Sequence, residues 1–319
     1  MDETLCVDYK NGVYCVESGY EGGGVVSVYI VRDGGTAAII DTAHNAALAP
    51  VKEAMREIGI ASDEVGYIFL THVHLDHAGG AGLFAAEFAN AAVVVHERGA
   101  RHIVDPKRLV KGASEVYGAS EMARLYGEVV PVPKGRVISP RDGDEFSVGE
   151  RKIACLDTPG HARHHLAFYD AGSKAVFTGD AFGMSYRELT GPGGRCAIPT
   201  TSPVQFDPNA MRESMRKIEG MKPLILYLTH YGKIDFSEKL SSSLHRQLDT
   251  FVEIAESACG DLDEIRSGIR ELFVKESAIQ GCPCMASDTG RVTGRALELN
   301  SLGLAQWYKK ERDRLGKML

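Results

Sequence analysis

The stretch Thr71-His72-Val73-His74-Leu75-Asp76-His77 follows directly on the apolar run Tyr67-Ile68-Phe69-Leu70 and sets three imidazoles and a carboxylate within six residues. Side chains alternate faces along an extended segment. His72 and His74 are therefore expected to point at one ion from the end of a strand, while Asp76 and His77, in the turn that follows, reach a neighbouring one. The spacing predicts a metal site, and two ions rather than one. A solvated His-rich loop is the plain alternative, and the downstream sequence argues against it.

Three further apolar, β-rich runs end in groups of the same kind. Cys155-Leu156-Asp157-Thr158-Pro159-Gly160-His161 reads as a strand entering a turn that presents His161. Ala175-Val176-Phe177-Thr178-Gly179-Asp180 ends in a carboxylate, and Leu224-Ile225-Leu226-Tyr227-Leu228-Thr229-His230 ends in an imidazole. Strand ends in an α/β sandwich converge on one edge of the sheets, where rigid scaffolds usually place sites.

With these residues in this order, the chain resembles the metallo-β-lactamase superfamily. It is closest to the hydrolase branch, which carries His-x-His-x-Asp-His, then a lone His, a Gly-Asp and a final His. The resemblance spans roughly residues 12–235. It implies an αββα sandwich in which His72, His74 and His161 bind a first metal, Asp76, His77 and His230 a second, and Asp180 bridges the two. It is nearer to glyoxalase II, acyl thioesterases and quorum-quenching lactonases than to the antibiotic-degrading members, which generally carry Cys where Asp180 stands and a signal peptide.

The chemistry implied is hydrolysis of a small-molecule ester or thioester by a hydroxide shared between two cations about 3.5 to 4 Å apart. Asp76 would hold a metal and also orient the nucleophile. Mixed imidazole and carboxylate ligation suits zinc, with iron or manganese as alternatives, because no thiolate is present to select zinc. His164, His165, Thr158 and Thr229 stand near enough in sequence to orient the ligands. His96, at the end of the strand Ala92 to His96, is expected to be a non-ligand residue, since seven ligands already complete the set.

A chain of 319 residues, 44% of them hydrophobic, can bury a large core plus an appendage. Its net charge of −7 argues against nucleic acid. Seven cysteines without framework spacing fit a reducing, cytoplasmic compartment; Cys282-Pro283-Cys284 is the one close pair, read as loop cysteines or, less simply, a redox or metal pair. Met1-Asp2-Glu3-Thr4-Leu5 lacks the marks of a signal peptide, and no run reaches membrane-spanning length.

Strands are expected at 25–31 and 36–41, joined by the Asp33-Gly34-Gly35 turn, with helices at 47–58 and from Gly79-Gly80 to Phe88. Residues 97–130 show little β pattern, with a helix at 119–126, and are expected to help cover the site. Val137-Ile138, 145–148 and 151–157 resume the strands. The long Gly- and Pro-rich stretch 183–208 holds Tyr186, Arg187 and Arg195, each placed to meet a substrate oxygen, with Tyr186 the candidate catalytic residue. Asp207 should cap a helix over 209–220.

After His230 the pattern turns helical over 237–259, 262–277 and 292–317. The chain is accordingly divided into a metallo-β-lactamase-like domain, 1–236, and a helical C-terminal region, 237–319. Three helices lack a core of their own, so they must seal the pocket or pair with a second copy as a homodimer. Glutathione is a partner suggested only by the likeness to glyoxalase II. Four function classes stay open: the dinuclear thioester hydrolase, a lactonase or phosphoester hydrolase, a mononuclear iron sulfur dioxygenase, and a regulatory protein with a retained metal site. The dioxygenase would leave the second ligand group unfilled, and here Asp76, His77 and His230 are all present.

Overall fold

The computed structural model describes residues 5–186, 189–191, 194–281 and 291–316. Its first sheet runs in sequence order through β1 (Cys6–Asp8), β2 (Val13–Glu17), β3 (Ser27–Asp33), β4 (Thr36–Ile40), β5 (Val65–Phe69), β6 (Ala92–Val94) and β7 (Val137–Ile138). The second holds β8 (Glu145–Val148), β9 (Arg151–Asp157), β10 (Leu166–Asp170) and β11 (Ala175–Gly179), and beyond a small hairpin of β12 (Thr190–Gly191) and β13 (Gly194–Arg195) it is completed by β14 (Ile225–Leu228) and β15 (Gly232–Asp235), in the order β15-β14-β11-β10-β9-β8. β4 to β7 are mutually parallel, as are β11 and β14; the other pairs are antiparallel.

The two-residue period of each strand divides its side chains between two cores. Tyr29 and Val31 of β3, Phe69 of β5, Phe168 of β10, Phe177 of β11 and Tyr227 of β14 meet between the sheets. Phe69 and Phe168 lie with ring centroids 5.0 Å apart, and Tyr29 meets Phe177 edge-on at 5.4 Å. Burying each such ring contributes roughly 1.5–3 kcal/mol. The alternate residues, among them Val28, Ile30, Ile68, Val176 and Leu226, face outward into a second apolar cluster under the helices.

Those helices are α1 (Leu48–Glu57), α2 (Leu75–Ala78), α3 (Ala81–Glu87), α4 (Glu97–Val104), α5 (Lys107–Tyr117), α6 (Ala119–Tyr126), α7 (Pro208–Gly220), α8 (Glu238–Ser257), α9 (Leu262–Gln280) and α10 (Arg291–Gly316). Asp207 caps α7 through the N–H groups of Asn209 and Ala210, with Pro208 at the first turn, as the sequence predicts. Leu248, Phe251, Ile265 and Ile269 of α8 and α9 are fully buried in the same contiguous cluster as Met215 and Ile218 of α7. The C-terminal helices thus share the core of the sandwich.

Two local expectations change. Residues 97–130 carry three helices rather than one: α4 and α5, separated at Asp105-Pro106, precede the expected helix at 119–126. The His72–His77 segment is not strand: β5 ends at Phe69, and Asp76 and His77 sit on the single turn of α2. Cys6, Cys15, Cys155 and Cys259 are free thiols and Cys196 is disulfide-bonded, so cysteine usage assigns no compartment; Cys282 and Cys284 lie outside the described residues. No helix among the described residues is long and apolar enough to cross a membrane.

Candidate metal centre

All the sequence-predicted ligands stand just beyond the C-terminal ends of strands. β5 leads to His72 and His74, β9 to His161, β11 to Asp180 and β14 to His230, while α2 turns Asp76 and His77 back towards them. Ligating atoms of His72, His74 and His161, of His72, His77 and Asp180, and of Asp76, His77 and His230 form three overlapping groups, each within 4.8 Å. The structure brings all seven together.

His74 Nδ1 faces His72 Nε2 at 2.8 Å and His161 Nε2 at 3.0 Å. Two imidazole nitrogens about 2.0 Å from a tetrahedral ion stand about 3.3 Å apart, so this convergence is close to what a cation requires. A second set forms where His77 Nε2 and His230 Nε2 approach to 3.2 Å with Asp76 Oδ2 3.4 Å from His230. Asp180 lies between the sets. Its Oδ2 is 3.4 Å from His161 Nε2, whereas its Oδ1 is 3.5 Å from His77 and 3.7 Å from His230. That Oδ1 is buried without a hydrogen-bond partner, which a cation would supply.

The surrounding hydrogen bonds fix which nitrogens are free. His77 Nδ1 donates to Asp41 Oδ2 at 3.1 Å and His230 Nδ1 to the Val25 carbonyl at 3.1 Å, leaving both Nε2 lone pairs aimed inward. Asp41 was not singled out from sequence. It is fully buried at the end of β4 and also accepts the Thr71 N–H, the Thr71 hydroxyl and the Thr229 hydroxyl. Its φ of 58° turns the chain sharply out of the strand, a conformation Asp tolerates better than most residues. The one signal that could have found it is its place: a carboxylate directly after an apolar strand, like Asp180.

His165 serves as a strut. Its Nδ1 meets the Thr158 hydroxyl at 2.8 Å and its Nε2 accepts the Asp180 N–H at 3.0 Å. Gly179 makes this approach feasible, since a Cβ there would lie 2.5 Å from His165 Nε2 and its φ is +50°. His164 does not orient a ligand by hydrogen bonding; its Nδ1 accepts the Val73 N–H at 3.5 Å and its ring lines the cavity. His96 reaches neither ligand set and instead pairs with Asp157 at 3.4 Å.

Burial, then the neighbouring His161, pushes His74 down to about 3, and burial with His77 does the same for His161. Burial opposes charge on His77 too, but Asp180 and Asp76, with Asp41, lift it to about 10. His230 is raised, against burial, by Asp180 and Asp76. A proton on His77 thus balances the carboxylates, and a bound cation would replace it.

The ligands open into a cavity of about 500 Å³ that also takes in Tyr186, the helices α5 and α10, and the Thr200–Gln205 segment. Tyr186 is buried, its hydroxyl donating to Met184 Sδ at 3.3 Å. Arg195 does not face this cavity: its Nη1 donates to the Tyr231 carbonyl at 2.9 Å and it lines a separate pocket with Lys233 and Arg246. The β14–β15 turn captures it from behind, so it is corrected as a candidate substrate contact. Arg187 lies outside the described residues.

A family model described as the metallo-beta-lactamase superfamily matches residues 22–230. The chain belongs to that superfamily. It is 29% identical over 176 residues to the metallo-beta-lactamase fold-containing protein ST1585 of Sulfurisphaera tokodaii, covering 54% of this chain and 62% of that one. The crystal structure of ST1585 superposes with a TM-score of 0.66 at 22% identity, covering 92% of this chain and 98% of that chain. An acyl-coenzyme A thioesterase, MBLAC2 of Gallus gallus, is 25% identical over 53% of this chain and 62% of its own length. A hydroxyacylglutathione hydrolase of Brucella anthropi is 29% identical over 41% and 38%. The chain matches about three fifths of the first two relatives' sequences, and the metallohydrolase superfamily is what these likenesses establish.

Proposed function

We propose that this protein is a dinuclear metal-dependent hydrolase of thioesters. His72, His74 and His161 would hold one cation and Asp76, His77 and His230 the other, with Asp180, which approaches both histidine sets, available to each. What carries this reading is the division of the two Asp180 oxygens between the histidine sets. Two divalent ions, zinc by preference with iron or manganese compatible, would supply hydroxide at neutral pH and polarise the substrate carbonyl.

The protein's own groups do the rest. Asp76, whose side chain is 25% exposed where Asp180 is 4% exposed, faces the cavity and orients the attacking oxygen. Burial, then Asp180 and Asp76, holds the Tyr186 phenol well above its usual range, so it stays protonated. Its thioether partner is a weak acceptor, and the phenol can exchange it for a substrate oxygen. The net reaction is thioester plus water to carboxylic acid plus thiol. Likeness to an acyl-coenzyme A thioesterase and a hydroxyacylglutathione hydrolase supports the thioester over other acyl substrates.

The test is thiol release by the metal-loaded protein from glutathione and coenzyme A thioesters, beside His74→Ala. Metal-dependent release that the variant lacks is expected. Silence on every thioester, with turnover of a lactone instead, would overturn the choice of bond.

A further inference from the structure

We propose that the cleft between α5 and α10 is a subsite for an extended, uncharged acyl chain, and that Gly112 sets the length it accepts; this rests on the thioester reading above. One cavity holds both the ligands His74, Asp180 and His230 and the facing helices, so whatever fills the cleft is continuous with the carbonyl at the metal centre. Leu109 and Ala113 lie one turn apart on α5, and Ala296 and Leu299 share a face of α10, so each helix presents carbon towards the space between. Pro203 and Val204 add an apolar stretch from the connecting segment.

Carboxylates line this cavity at the metal end, as Asp76 and Asp180, and again at the exposed Glu115, which stands with the exposed Arg108 on α5. The cation of this lining, Arg108, is exposed, so the wall formed by Leu109, Ala113, Ala296 and Leu299 offers an ionic substrate group no buried counter-charge, whereas burying apolar surface there is favourable. An acyl chain meets that condition, and the polar thiol portion does not. A volume of about 500 Å³ falls within the range of small-molecule sites.

Gly112 lines the cleft one turn from Leu109, and a Cβ built on it meets no atom within 4 Å. A larger side chain there would occupy cleft space without displacing the fold, and Leu is a better helix former than Gly. The experiment compares wild type, Gly112→Ala and Gly112→Leu on straight-chain acyl-coenzyme A thioesters from acetyl to palmitoyl, with thermal unfolding as the check on folding. Wild type is expected to favour longer chains through KM. The ratio of decanoyl to acetyl kcat/KM is expected to fall about tenfold or more in Gly112→Leu, with Gly112→Ala between. A flat chain-length profile in wild type, or identical ratios in all three proteins, overturns the proposal. Calorimetric binding of decanoate separates the two readings. If no thioester is cleaved, the thioester assignment fails; decanoate binding that Gly112→Leu weakens then sustains the subsite, and no binding refutes it.

Discussion

Replacing Asp41 by asparagine changes almost no volume and removes the negative charge from the acceptor that holds His77 of the second ligand set. Oδ1 of Asp41 takes the Thr71 N–H at 2.8 Å; Oδ2 takes the Thr71 hydroxyl, His77 Nδ1 and the Thr229 hydroxyl at 2.8, 3.1 and 2.9 Å. An amide NH₂ in either position faces a buried donor. Placed at Oδ1 it orphans only the Thr71 N–H, since the Thr71 hydroxyl keeps its other acceptor, so this flip is preferred. One unmet buried donor costs about 1–3 kcal/mol. Relief from burying a carboxylate offsets part of that, while the protonated His77 of the metal-free protein loses a charged partner, so the expected loss stays within that range. His77 then donates to a neutral oxygen, and loss of such an outer partner weakens metal binding about 10- to 100-fold, or about 1.4–2.8 kcal/mol. Urea unfolding of the metal-free protein reads the first quantity, and competition with a chromophoric chelator for the second metal equivalent reads the other. Unchanged midpoint and unchanged affinity together would refute the role given to Asp41.

Asp180→Ala is expected to lose one of two metal equivalents and hydrolysis with it, measured by metal analysis and thiol release; full activity would sink the bridged site. Gly303→Val would set a Cβ where that atom falls 2.1 Å from Thr201 Oγ1, at a cost of about 1–3 kcal/mol in overpacking. Because the Ser202 hydroxyl donates to the His161 carbonyl, kcat should fall along with the melting temperature; a drop in neither would sever α10 from the site. His77 sits at about 10 in the metal-free protein, so it carries a proton below that pH that a metal must displace, whereas His74 and His161 at about 3 carry none. Affinity for the second equivalent should therefore rise with pH between about 7 and 9, with proton release visible in calorimetry across buffers; pH-independent binding would contradict it.

Sequence alone picked out the candidate ligands that converge in the structure, because each follows an apolar strand and carries its chemistry locally: His72, His74, Asp76 and His77 within one segment, and His161, Asp180 and His230 one at a time at later strand ends. The αββα sandwich followed from the likeness of that ordered ligand pattern to the metallo-β-lactamase superfamily, and the apolar runs that precede the ligands were legible as strands. Tertiary structure decided what depends on distant neighbours. Asp41 is an ordinary acidic residue until Thr71, His77 and Thr229 converge on it across long sequence separations. Arg195 looked like a substrate contact until the Tyr231 carbonyl claimed it. The helical pattern after His230 left both the pocket and a second copy open as burial for the C-terminal helices, and the packing of α10 on the Thr201 segment placed Ala296 and Leu299 in the cavity wall. Local pattern encodes which face of an element is apolar; which surface meets that face is settled by the closure of the whole chain.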